Sequence, residues 1–204
     1  KAFSSRVVQT MWPRIQCIVD ELLDAVEPTG QMDIIRDFAY LLPVTVIAEI
    51  LGLPAEDQKD FKRWSDDIVG FISSGRGLVD LALRAQQSMM ELTSYYRDII
   101  TERRRHPRED LISRLIAAEE REDRLTEDEL LATCVTLLAG GHETTTHLIG
   151  GGSLALLRNP DQLQVLRRDP SAIVGGVEEL LRYEPPVQRG ERVATDDIEL
   201  RGRR

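Results

Sequence analysis

The run Leu137-Leu138-Ala139-Gly140-Gly141-His142-Glu143-Thr144-Thr145-Thr146 sets a carboxylate beside a hydroxyl directly after two glycines. An acid next to an alcohol can hold a proton and hand it on where charge develops. The surrounding pattern is helical, yet each interior glycine costs a helix about 1 kcal/mol, and three β-branched threonines follow. A segment built only for helix stability would not carry this composition. Paired glycines admit a close partner to the backbone or allow a local bulge, and a threonine hydroxyl there competes for the i−4 carbonyl. The bland alternative stays open on these residues alone: a glycine pair packed on a crossing helix, with Glu143 solvated.

Zinc chemistry is the sharper rival, because His142-Glu143 followed by His147 resembles a metalloprotease helix. That motif needs histidines four apart on one face. His142 and His147 are five apart, about 140° around the helix, and position 146 is threonine. The geometry excludes the motif, and no metal-ligand set is expected. A second constellation, Glu179-Leu180-Leu181-Arg182, places an acid and a guanidinium three apart on one helical face before Pro185-Pro186. Alone it would be an ordinary surface pair.

The elements that must position these groups read almost entirely as helix. Three- and four-residue apolar spacing runs through 6–26 (Val7, Met11, Ile15, Ile18, Leu22, Val26), then 33–51 with Pro43 as a kink, 57–72 and 78–105. A shorter helix follows at 110–120. Thr126 with Glu129 forms a capping box opening a helix that continues to Arg158, and helices at 161–168 and 171–183 complete the pattern. Residues 192–200 alternate like a strand through Val193, Ile198 and Leu200, but no partner strand is evident upstream. The expected fold is all-α with a small β segment at the C-terminus, as one domain over 1–204 cut at both ends.

Composition limits the partners. Net charge is −9 over 204 residues, which argues against a nucleic-acid partner. No apolar run reaches membrane-spanning length, so no membrane partner is expected. Two cysteines, Cys17 and Cys134, cannot build a disulfide framework; both read as small apolar core residues in a cytoplasmic protein.

Taken together, the motifs resemble a known family. Residues 140–145 look like the oxygen-activating helix signature of the cytochrome P-450 haem-thiolate monooxygenases. Glu179 and Arg182 resemble that family's Glu-x-x-Arg motif, and residues 183–200 resemble the segment after it. Residues 1–8 resemble a segment of soluble bacterial members, so the resemblance covers the whole chain as the middle of a longer protein.

The resemblance implies an activity and roles. The parent protein would insert one atom of O2 into a small hydrophobic organic substrate, with electrons from a ferredoxin or flavoprotein. Glu143 and Thr144 would be the catalytic acid–alcohol pair. Leu137, Gly140, Gly141, Thr144 and Thr145 would contact haem b, and Arg192 would pair with a propionate. Glu179 and Arg182 would be structural, and helices 57–72 and 78–105 would form a lid. The iron's axial cysteine would lie beyond residue 204, since Cys17 and Cys134 are in neither the right order nor the right context; the chain alone is then expected to be inactive. Two alternatives remain at this point, a non-catalytic helical ligand-binding or dimerisation module and a degenerate haem protein.

Overall fold

The structure, a computed structural model, describes residues 5–74, 78–119, 126–190, 193–199 and 201–202. Nine α-helices are present among them. Helices α1 (Ser5–Thr10) and α2 (Trp12–Val26) replace the single helix expected over 6–26. The break falls at Met11 because Pro13 has no N–H to donate, and its ring collides with the carbonyl four residues back. The expected face still turns inward: Ile18 is buried, and Ile15 and Leu22 are half-buried.

Asp33 caps the next element, its carboxylate accepting from the Ile35 and Arg36 amides. That element opens as one π-helical stretch, Ile34–Ala39, before α3 (Leu41–Leu51). Pro43 lies in the first turn of α3, where its missing N–H has no intrahelical partner to lose, so it makes no kink. Gly52 ends α3 with φ +70°. Helices α4 (Gln58–Ser74) and α5 (Val79–Arg105) then run as a packed pair. Helix α6 (Leu111–Glu119) follows, and Thr126 opens α7 (Glu127–Arg158). The capping box forms as expected. The Glu129 amide donates to Thr126 Oγ1 at 3.2 Å, and the Thr126 amide donates to the Glu129 carboxylate at 2.7 Å.

The chain divides into two compact units, 1–150 and 151–204. The core of the first joins Val44, Ile47 and Leu51 of α3 to Phe61 and Trp64 of α4. Leu92, Tyr96 and Ile100 of α5, Ile112 of α6 and Leu130, Cys134 and Leu138 of α7 complete it. Burying one such side chain stabilises a fold by about 1.5–3 kcal/mol, so this cluster holds the N-terminal half of α7 in place. One buried ion pair locks three chain segments there. The Arg103 Nε donates to Asp110 Oδ2 at 2.6 Å, and Arg103 Nη2 donates to the Gly52 carbonyl at 2.7 Å.

The second unit holds the end of α7 with α8 (Pro160–Arg168) and α9 (Ile173–Tyr183). Gly152 and Gly176 allow close approach there, facing Leu180 and Leu166. Neither α8 nor α9 has a fully buried residue, and Val174 and Val177 of α9 are exposed. The β segment expected over 192–200 is not seen in its described part: residues 193–199 are irregular, with Val193 and Ile198 exposed. A strand needs a neighbour to pair its amides and carbonyls, and no strand occurs among the described residues. Arg192 and Leu200 lie outside the described residues. No described helix is long and apolar enough to cross a membrane.

Candidate functional site

Helix α7 passes through Gly140-Gly141 without a bulge. The threonines follow the helix rather than break it. Thr144, Thr145 and Thr146 donate their hydroxyls to the carbonyls of Gly140, Gly141 and His142, at 3.1, 3.3 and 2.9 Å. The two glycines do different work. A Cβ on Gly141 would stand 3.3 Å from the Ile47 side chain, so this glycine lets α3 pack tightly. A Cβ on Gly140 would meet nothing within 4 Å. Half of the glycine pair is therefore explained by packing, and the other half is not.

Gly140 opens onto a cleft of about 470 Å³. Its α7 side is Leu137, Gly140, Gly141 and Thr145, and its opposite wall is apolar, from Ile15 of α2 and Val46, Ile47 and Ile50 of α3. Four of the residues expected to touch a cofactor thus share one cleft. Thr144 does not line it.

Glu143 lies on a different side of the helix. Its carboxyl is half-buried, and Oε2 is fully buried with no hydrogen-bond partner. Burial raises its pKa; His147, His142 and Lys62 pull it down, and Asp66 pushes it up. The acid and the alcohol, adjacent in sequence, are not hydrogen-bonded to each other, since Thr144 donates to its own helix.

Sequence reasoning missed the surroundings of Glu143. Lys62 of α4 donates to Asp66 at 2.8 Å and stands 4.5 Å from the centre of the Tyr40 ring. That ring meets His142 edge-on at 5.8 Å, and the Tyr40 hydroxyl is buried without a partner. His142 is buried, its Nδ1 donating to the Leu138 carbonyl at 3.0 Å, while His147 is exposed. The two imidazoles therefore occupy different environments, as their five-residue spacing requires. Nothing in the spacing of Tyr40 or Lys62 foretold these contacts, because both come from other helical segments.

The remaining expected positions are quickly placed. Arg182 pairs with Glu179 through Nε and Nη2, at 2.8 and 2.6 Å, with the side chains 68% and 59% exposed. The pair forms, but on a surface. Cys134 is buried in the core as expected, its thiol pushed up to about 12 by burial. Cys17 is exposed, contrary to its expected core position, because the buried stripe of α2 runs through neighbouring Ile18 instead. Neither cysteine lines the cleft.

Comparison with known proteins identifies the class. The family model described as Cytochrome P450 matches residues 1–204. The chain is 44% identical over 204 residues to Cytochrome P450 CYP107DY1 of Priestia megaterium, covering 100% of this chain and 48% of that protein. It is 41% identical to the Biotin biosynthesis cytochrome P450 of Bacillus subtilis, covering 98% and 50% respectively. The crystal structure of P450BioI in complex with hexadec-9Z-enoic acid ligated acyl carrier protein superposes with a TM-score of 0.91 at 39% identity, covering 98% of this chain and 52% of that one. The chain belongs to the cytochrome P450 family. It spans about half the length of the curated relatives it matches.

Haem is the cofactor of that family, and the residues present fit it. The open space over Gly140 leaves the α7 backbone bare toward a cleft whose far wall is apolar, which suits the face of a flat, apolar ring system.

Proposed function

We propose that the whole protein is a haem-dependent monooxygenase. It would place one oxygen atom from O2 into a small apolar substrate, using electrons from a ferredoxin or flavoprotein. The observation that carries this reading is the glycine-floored apolar cleft on α7, two residues along the helix from a carboxyl with a buried, unpartnered oxygen. When bound, haem supplies the redox chemistry of dioxygen. Leu137, Gly140, Gly141 and Thr145, which line the cleft, would hold one face of it, Thr144 would serve beside Glu143 from outside that lining, and Arg192 would meet a propionate.

The chain's own residues manage protons and access. Glu143 has its pKa raised by burial, so it can both hold and release a proton closer to neutral pH than an exposed carboxyl would. Thr144 spends its proton on the Gly140 carbonyl, and its oxygen keeps the capacity to accept another. The lid role of α4 and α5 is supported by exposed apolar side chains where the two helices meet: Phe71, Ile72, Leu78 and Val79. Glu179 and Arg182 are proposed as structural, and the protein as cytoplasmic. The 204-residue chain alone is proposed to be inactive, because neither of its cysteines lines the cleft.

Thr144→Ala in the whole protein tests the reading. It should keep haem and substrate bound while diverting electrons to peroxide, lowering the product formed per reduced nicotinamide consumed. An unchanged ratio would remove Thr144 from the mechanism.

A further inference from the structure

Four of the chain's ten aromatic residues form one connected group on α4 and α5. Ring centres lie 5.9 Å apart for Phe61 and Trp64, 5.5 Å for Trp64 and Tyr95, and 5.8 Å for Tyr95 and Tyr96. Apolar packing accounts for the rings but not for how their polar atoms are served. Tyr40 and Tyr96 keep buried hydroxyls with no partner. Tyr95 instead donates its hydroxyl to Asp57 Oδ2 at 2.8 Å, and Trp64 donates Nε1–H to Glu91 Oε2 at 2.9 Å. Tryptophan and tyrosine are the aromatic side chains that lose an electron most readily. Here two of them touch, and each has a carboxylate on the atom that turns acidic when the electron goes. Burial, with the Asp57 hydrogen bond and charge, also holds the Tyr95 phenol well above its ordinary pKa, so it keeps its proton until then. Tyr96 shares its core with Cys134 of α7, which is six residues, about 9 Å of helix, from Gly140 at the cleft.

We infer that Tyr95 is a radical site, with Asp57 as its proton acceptor and Trp64 as the ring that exchanges an electron with it. The oxidant is the one-electron oxidant formed when peroxide meets bound haem, so the inference needs haem but not the oxygenation proposed above. One electron leaves Tyr95 for that oxidant, the phenolic O–H bond breaks, and the proton passes to the Asp57 carboxylate. Trp64 then gives Tyr95 an electron, the O–H bond re-forms with the proton held by Asp57, and a positive charge rests on the indole. Glu91 faces that charge. Its carboxylate accepts from Gln87, Trp64 and Arg63, which hold its pKa well below the ordinary value, so it steadies the cation and leaves the indole its proton. A thiol or ascorbate in solvent supplies the electron that closes the sequence. Tyr96 cannot play the part of Tyr95, because without an acceptor its oxidation would leave an uncompensated charge in the core.

The test mixes the whole haem-loaded protein, free of substrate, with hydrogen peroxide and freezes it for electron paramagnetic resonance. A radical signal should appear that narrows when the protein carries ring-deuterated tyrosine. A nitroso spin trap followed by peptide mass mapping should place the adduct on Tyr95 in the unaltered protein. Tyr95→Phe should lose that adduct and most of the signal. Asp57→Asn still accepts the hydrogen bond but not the proton, so at unchanged haem content it should cut the radical yield. Trp64→Phe should lengthen the life of the Tyr95 signal, since the ring that refills it is gone. The absence of any tyrosine signal, or trap adducts that avoid Tyr95, overturns the inference, and the mapping decides this even where a variant folds poorly. Full radical yield in Asp57→Asn overturns the role of Asp57, and an unchanged lifetime in Trp64→Phe overturns that of Trp64.

Discussion

Replacing Asp110 with alanine should cost the first unit about 4 kcal/mol, mainly by stranding a buried guanidinium. Arg103 and Asp110 have side chains only 2% and 6% exposed and meet at 2.6 Å. Breaking such a pair from one side costs about 3–5 kcal/mol, since the surviving charge has lost its water and its partner. Asp110 also accepts from the Ser113 amide at 2.7 Å, capping α6, which adds about 1 kcal/mol. Against this, Arg103 keeps its ion pair with Glu102 and its bond to the Gly52 carbonyl, which places the total at the lower end. Asp110→Asn keeps the volume and the cap while removing the charge, so the difference between the two variants isolates the pair. Urea unfolding of the whole protein followed by tryptophan fluorescence reads the loss, because Trp64 lies buried in the same core and Trp12 is already exposed. A loss under about 1 kcal/mol for Asp110→Ala would make this no more than a surface salt bridge and refute the argument. The pH dependence gives a second check. Burial disfavours the Asp110 charge, but the Ser113 amide and Arg103 outweigh it and hold the pKa below its ordinary value. Its contribution should therefore be complete above the unfolded carboxyl's pKa, near 4, and disappear as pH falls through the lower folded value.

Gly52→Ala should destabilise the same junction, because Gly52 has φ +70° and an added Cβ would lie 2.3 Å from Asp110 Oδ2; an unmoved urea midpoint would show that the junction can relax. Gly140→Ala should do the opposite to the fold: with no neighbour within 4 Å, it should stabilise α7 by up to about 1 kcal/mol while reducing the haem retained on purification. Full haem content in that variant would show that the bare backbone at Gly140 is not needed.

The helices were legible from spacing and capping chemistry alone. Thr126 and Glu129 marked the start of α7 because a capping box is a local bargain between four residues, and the glycine-interrupted run on α7 stood out because it violates helix propensity. The break at Pro13 was also local in origin, although apolar periodicity ran through it and hid it. Tertiary structure alone decided which glycine packs and which lies open, since that depends on where Ile47 of α3 arrives. It likewise decided that Glu143 has a buried, unpartnered oxygen, and that the Glu179–Arg182 pair stays on a surface. The Lys62–Tyr40–His142 cluster around Glu143 joins three separate helical segments, and the isolated C-terminal alternation found no neighbour to make it a strand. Propensity and periodicity are summed over a few consecutive residues, whereas burial, charge environment and strand pairing are set by segments that meet only when the chain folds.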